Sequence, residues 1–127
     1  MSKLPLIARI ILGLIFTVFS INFFVPFLPM PEPTPEAGAF LGALMDSGYM
    51  FYFIKIVELV GGIMLLIGIC IPFALVLLAP IVVNIFLFHI FLDPAGFMMG
   101  LFIFLLEFYL LYHYRSVFSN ICSNTRV

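Results

Sequence analysis

The sequence predicts an all-α polytopic membrane protein, in which four transmembrane helices form a bundle and a short interfacial helix occupies the first outer loop. Hydrophobic residues make up 65 % of the 127 residues and charged residues only 9 %, whereas soluble domains are about 45–50 % apolar and about 25 % charged. Four apolar stretches each approach the roughly 20 residues that a membrane-spanning helix needs. We expect residues 1–127 to form a single domain.

The four predicted spans cover about residues 4–27, 48–70, 72–91 and 97–114. Pro72 divides a long apolar region into the second and third spans, and Pro80 is expected to kink the third because proline removes a helical hydrogen bond. A signal peptide is the alternative for the first span. However, this part of the chain has 22 consecutive uncharged residues, 10–31, whereas the apolar region of a signal peptide has roughly 7–15. A retained anchor is therefore expected.

Charge asymmetry predicts the orientation of the spans. Four of the five basic residues lie near the two termini, at Lys3, Arg9, Arg115 and Arg126. The acidic residues of the predicted loops are Glu32, Glu36, Asp46 and Asp93. The positive-inside rule then places both termini in the cytoplasm of a bacterial-type inner membrane, with the acidic loops on the outer side.

The first outer loop contains a predicted helix over about residues 35–47. Thr34 is a good N-cap, Pro35 suits the first helical position, and Glu36 in the first turn complements the helix dipole. The apolar residues of the next two turns fall on one face, at Phe40, Leu41, Leu44 and Met45. Such a helix is either a functional lid or a simple amphipathic connector.

The polar residues of the predicted spans concentrate in the middle and outer half of the membrane. They are Ser20, Asn22, Lys55, Glu58, Asn84, His89 and Glu107. Ionisable groups at such depth are costly, about 2.5–3.5 kcal/mol each on insertion scales, and commonly mark functional sites. We therefore expect a polar pocket that opens toward the outer face under residues 36–47, with Lys55, Glu58, Asn84, His89 and Glu107 as candidates for ligand binding or proton relay.

Two of these candidates, Lys55 and Glu58, lie one helical turn apart. They can neutralise each other as a structural pair, form a ligand or proton site, or be solvated separately, with Lys55 reaching the interface. Glu107 lies on a stripe that should face the other helices. It is expected either to pair with Lys55 or to stay protonated.

The remaining candidates also have structural alternatives. Asn84 can be an interhelical hydrogen-bonding residue or a ligand. His89 can bond Asp93 one turn later or exchange a proton near the outer surface. Gly61 and Gly62 are expected to let another helix backbone come close.

Several function classes are disfavoured. The net charge of −1 offers no basic patch for nucleic acid. Cys70 and Cys122 lie in no metal or redox spacing, so two reduced thiols are favoured over a disulfide and no metal site is predicted. Many phenylalanines, 17 in all, are compatible with an aromatic pocket for a quinone.

The chain resembles the DoxX family of small four-span membrane proteins. The resemblance rests on residues 8–16, 40–44, 55–62, 72–80 and 83–89. Its most specific parts are the Glu-x-x-Gly-Gly element that begins at Glu58 and the Asn-x-x-x-x-His element that begins at Asn84. By this resemblance, Lys55, Glu58, Asn84 and His89 match recurrent family positions.

The resemblance implies a function associated with redox chemistry. The family takes its name from a subunit of a thiosulfate:quinone oxidoreductase, and some relatives are linked to thiol-redox or oxidative-stress complexes. Others occur beside metal-handling and peptide-modifying systems. We therefore expect a quinone-interacting membrane subunit, with a redox or membrane protein partner or a second copy of the chain. The alternatives are a small-molecule or lipid binding and transport module, or a non-catalytic anchor. Because paired cysteines and an extramembrane domain are lacking, autonomous catalysis is not expected.

Overall fold

The computed structural model describes residues 3–121, which form helices and connecting turns with no strand among them. Six α-helices follow one another: α1 (Leu4–Phe24), α2 (Pro35–Asp46), α3 (Met50–Ile67), α4 (Ile71–Phe91), α5 (Phe97–His113) and α6 (Arg115–Ile121). A 3-10 turn, Pro94–Gly96, precedes α5. The predicted all-α fold class is confirmed.

Four of these helices are long and apolar enough to cross a membrane: α1, α3, α4 and α5 together with its preceding turn. Their outward-facing residues are large and apolar, as at Leu14, Ile56, Phe73 and Leu105, which are each about half exposed or more. Such a surface requires an apolar solvent, so the chain is a multi-pass membrane protein embedded in a lipid bilayer.

The four long helices form a closed ring. α1 packs against α3 and α5, and α4 packs against the same two helices. α3 and α5 therefore lie diagonally opposite each other. The core between them is built mainly from aliphatic side chains, namely Leu12, Leu65, Leu75, Leu78, Val82 and Leu110, with Phe16 and Ala74.

The helix ends differ slightly from the predicted bounds. α1 ends at Phe24 rather than residue 27, because the Asn22 side chain accepts hydrogen bonds from the backbone N–H groups of Phe27 and Leu28. α3 ends at Ile67, where Gly68 takes a left-handed conformation with φ 79°. α4 continues as a helix through Pro80, and α6 was not predicted.

α2 lies across one end of the bundle, which we call the α2 end; the opposite end, which holds Lys3 and α6, is the terminal end. The predicted cap is confirmed, since the Thr34 hydroxyl accepts a hydrogen bond from the N–H of Ala37. The same hydroxyl donates to the carbonyl of Leu92 at the end of α4. Ala37 is fully buried, and Phe40 contacts the ring of Phe88 on α4.

Candidate functional site

The polar residues predicted to share one pocket lie in three separate places. Glu58 and Glu107 are buried in the bundle interior. Asn84 is exposed on the outside of the bundle, beneath α2. His89 lies at the turn between α4 and α5, where its Nδ1 is 3.1 Å from the backbone oxygen of Asp93. The predicted single pocket of five residues is therefore not formed.

Lys55 and Glu58 form an ion pair within α3. The Lys55 Nζ donates to Glu58 Oε1 at 3.3 Å, and the two side chains are 18 % and 6 % exposed. The ammonium also lies 5.7 Å from the centre of the Phe51 ring, one turn nearer the α2 end. This arrangement keeps Lys55 with Glu58, and the predicted alternative pairing of Lys55 with Glu107 is absent.

Glu107 lies on the buried stripe of α5. Its neighbours on that stripe, Gly100, Ile103 and Leu110, are also buried. The next residue, Leu111, is only partly buried. Glu107 itself is fully buried, and neither carboxyl oxygen has a hydrogen-bond partner among the described residues.

Asn84 lies in a groove between α3 and α4 that α2 partly covers. This α3–α4 groove has a volume of about 450 Å³. It is lined by Phe40, Leu44, Met50, Phe53, Ile54, Val57, Leu77, Pro80, Ile81 and Asn84. Among these described residues Asn84 carries the only polar side chain, and its amide has no hydrogen-bond partner within residues 3–121.

A second, smaller cavity adjoins the groove. It measures about 220 Å³ and shares Phe40 and Asn84 with the first. Its other lining residues are Leu87, Phe88, Phe91 and Leu92. Phe40 of α2 and the amide of Asn84 therefore lie at the junction of two apolar spaces, one toward the membrane interior and one toward the end of α4.

The glycines beside Glu58 bring helix backbones together. A Cβ on Gly61 would lie 2.8 Å from Leu78 on α4, and one on Gly62 would lie 2.7 Å from the Thr17 hydroxyl and 2.9 Å from its backbone nitrogen. Gly13 of α1 also lies close to the carbonyl of Gly62. Sequence reasoning missed Gly13 and Thr17, although the small-x-x-x-small spacing of these two residues is typical of close helix contacts.

His89 fills the space beside two glycines of the following segment. A Cβ on Gly100 would lie 2.8 Å from the His89 ring, and Gly96 also faces that ring closely. The bond to Asp93 goes to its backbone oxygen rather than to its carboxylate. These contacts give His89 a packing role at the α4–α5 turn.

No metal centre is formed by the described part of the chain, where no three His, Cys, Asp or Glu residues lie close enough to hold an ion. Cys70 is a free, exposed thiol at the start of α4. The second predicted thiol, Cys122, lies outside the described residues, as does the basic Arg126.

These observations define a class of protein: a four-span helical membrane bundle with buried carboxyl groups and a lateral groove that contains one amide. The chain belongs to the DoxX family, whose model matches residues 4–90. No curated protein and no solved structure matches the chain. The family match covers α1 to α4 and ends before α5, so Glu107 lies beyond it.

Proposed function

We propose that this chain is a membrane subunit that binds a quinone-class lipid in the α3–α4 groove. The observation that supports this function is the Asn84 amide, which is exposed among apolar groove walls and has no partner within the described residues. Ligand sites are commonly apolar spaces of about 300–1,000 Å³ with a few well-placed polar groups. The groove falls in this range.

The chemistry of the groove suits a flat ring with an apolar tail. Phe40 and Phe53 contribute aromatic surface to the lining, and the Asn84 amide can donate a hydrogen bond to a ring carbonyl. Pro80, one turn away, has no N–H and leaves the carbonyl of Val76 without its helical donor. Because the groove lies on the lipid-facing surface, a tail can extend into the bilayer.

The redox association of this function rests on the family resemblance. A quinone bound in the groove would carry reducing equivalents to or from a redox protein in the same membrane, with a second copy of this chain as the other possible partner. Within residues 3–121 the groove has no nucleophile or thiol beside it. The chain on its own is therefore proposed to bind and position the ligand rather than to catalyse its reaction.

The proposed orientation follows from charge. Lys3, Arg9 and Arg115 lie at the terminal end, and Glu32, Glu36 and Asp46 lie in or beside α2. The positive-inside rule then puts the terminal end in the cytoplasm of a bacterial-type inner membrane. The α2 end, which covers the groove, faces the outer side.

Binding of a short-tailed ubiquinone to the chain in lipid nanodiscs tests this function. Asn84→Leu removes one hydrogen bond and is expected to weaken binding by about threefold to tenfold. Leu77→Trp fills the groove and should abolish binding. Val76→Trp is the matched control, since Val76 is the preceding residue, faces lipid and does not line the groove.

Two results would contradict the proposed function. Equal affinity of the wild type, Asn84→Leu and Leu77→Trp would place the quinone outside the groove. The second result is that the wild type binds no quinone, but retains a phospholipid in native mass spectra that Leu77→Trp loses. That result would reassign the groove to a lipid-binding or transport module.

The non-catalytic anchor is a second candidate, favoured by the Lys55–Glu58 pair. This pair is satisfied within one helix, and neither residue lines the α3–α4 groove or the cavity that adjoins it. Replacement of both residues by leucine should then leave the cellular function intact. Loss of that function in a folded double variant would exclude a purely structural role for the pair.

A further inference from the structure

Glu107 is a fully buried carboxyl group with no hydrogen-bond partner in the described chain. A charge in this position would be costly, because the fully buried carboxyl group has no counter-charge bonded to it among the described residues. Buried polar groups in proteins are almost always hydrogen-bonded. The lack of a partner for either oxygen therefore points to a group that this carboxyl must bind.

The helix registers place Glu107 and Glu58 at one level of the bundle. Gly61 of α3 packs on Leu78 of α4, so in antiparallel helices Glu58 lies opposite residues 81–82 of α4. The rings of Phe86 and Phe104 are 4.5 Å apart, so Glu107 lies opposite residues 82–83. Both carboxyl groups thus enter the interior beside Val82, from helices that are diagonal to each other.

α1 adds two hydroxyl groups within about one helical turn of this level. The Oγ of Ser20 and the Oγ1 of Thr17 are buried and, like Glu107, have no hydrogen-bond partner among the described residues. Thr17 contacts Gly62, one turn from Glu58. The interior therefore holds three unpartnered polar side chains, two of which can donate or accept a hydrogen bond.

The charged groups on the neighbouring helices do not supply a counter-ion. On α3, Lys55 is paired with Glu58. On α4, His89 lies seven residues beyond Val82 toward the α2 end, and its Nδ1 bonds the backbone oxygen of Asp93. On α1, Arg9 lies beside Gly68 at the terminal end, about 12 Å along the helix axis from Thr17.

We propose that Glu107 is an intramembrane proton-binding site, in which the carboxyl group is held neutral in the bundle interior, near the α1 hydroxyl groups but not hydrogen-bonded to them. The ligand is a proton rather than a metal ion, because no three potential ligand residues of the described chain cluster here. A protonated carboxyl group is both a donor and an acceptor, as the hydroxyl groups are. This site is independent of the groove and of the proposed quinone function.

Infrared spectroscopy of the chain in nanodiscs at pH 7 tests this site. The wild type should show the carbonyl band of a protonated carboxyl group, shifted in D₂O, and Glu107→Gln should lose it. Glu36→Gln, which removes an exposed carboxyl group on α2, is the matched control and should retain the band. If Glu107→Gln does not fold, Glu107→Asp should instead move the band.

A second variant tests the geometry. Glu58→Gln frees the Lys55 ammonium at the level of Glu107, which favours the ionised carboxylate and should weaken the band at the same pH. An unchanged band would contradict the placement of the two groups. The proton site would be overturned if the wild type showed no band or if Glu107→Gln kept it. Loss of the band on addition of NaCl at constant pH would overturn it in favour of a cation site.

Discussion

Gly62 is the residue at which α1 and α3 come closest. Its hydrogen atom faces the Thr17 hydroxyl and backbone, and Gly13 approaches its carbonyl. The cost of a side chain here is set by backbone atoms, which cannot rotate away as a flexible side chain can. Small residues at such contacts allow the close packing on which helix association in membranes depends.

Gly62→Ala is therefore expected to destabilise the bundle by about 1–3 kcal/mol, the usual cost of overpacking. Gly42→Ala on α2 is the matched control, because nothing lies within 4 Å of a Cβ at that position. There the gain in helix propensity should raise stability by about 0.5–1 kcal/mol. Thermal unfolding in the same detergent compares the two variants, and equal effects would contradict the close approach of α1 and α3.

The Lys55–Glu58 pair gives a second prediction for single residues. Lys55→Leu leaves the largely buried Glu58 without its counter-ion, and breaking such a pair costs roughly 3 kcal/mol. Replacement of both residues by leucine should be neutral or stabilising, since neither charge then has to be desolvated. Chemical unfolding of the two variants and the wild type measures the difference. If the double variant is less stable than Lys55→Leu, the pair contributes more to the stability of the bundle than the mutual neutralisation of its two charges.

At the scale of elements, α2 is held to the bundle by one polar contact and one apolar face. The Thr34 hydroxyl caps α2 through Ala37 and also bonds the carbonyl of Leu92 on α4. Ala37 and Phe40 then pack beneath the helix, Phe40 against Phe88. Since Phe40 also lines the α3–α4 groove, the position of α2 determines how far the groove is covered.

Thr34→Ala should loosen α2 without unfolding the four long helices. It removes an N-cap worth about 1 kcal/mol and a hydrogen bond of similar worth. Hydrogen exchange of residues 35–46 should become faster, while exchange in α3 and α5 stays unchanged. Thr34→Ser retains the hydroxyl and is the control. Unchanged exchange in Thr34→Ala would show that the apolar face alone holds α2.

The sequence patterns succeeded where the signal is local. The Thr34 cap, the Pro35 start and the break before Pro72 depend on neighbouring residues only, and the structure has each of them. The buried stripe of α5 could also be predicted, because Gly100, Ile103 and Glu107 recur at helical spacing. Each of these features requires no knowledge of another helix.

The site could not be predicted in the same way, because it depends on the rotation of each helix. α4 is apolar on nearly every side, so no periodicity shows whether Asn84 faces the interior or the groove. The structure turns it outward, beneath α2. The early end of α1 has a different origin, since it depends on a local turn in which the Asn22 side chain accepts hydrogen bonds from two backbone N–H groups after a proline.

At the scale of the whole molecule, the two ends of the bundle carry opposite charges. Arg9 lies with its guanidinium beside Gly68 at the end of α3, where a cation also complements the helix dipole. Arg115 at the start of α6 stacks on Tyr112, 4.1 Å from the ring centre. Both cations are thus fixed at the terminal end, while the acidic residues of α2 and of the turns lie at the α2 end.

This separation of charge predicts the result of a labelling experiment. In a variant with Cys70→Ser and Cys122→Ser, Ser47→Cys at the α2 end should react with a membrane-impermeant maleimide added to intact bacterial spheroplasts. Ser119→Cys on α6 should react only after lysis. Both residues are exposed in the structure, so a difference in labelling reports the side of the membrane rather than burial. The opposite pattern would place α2 and its groove on the cytoplasmic side, and the charges at the terminal end would then not determine the topology.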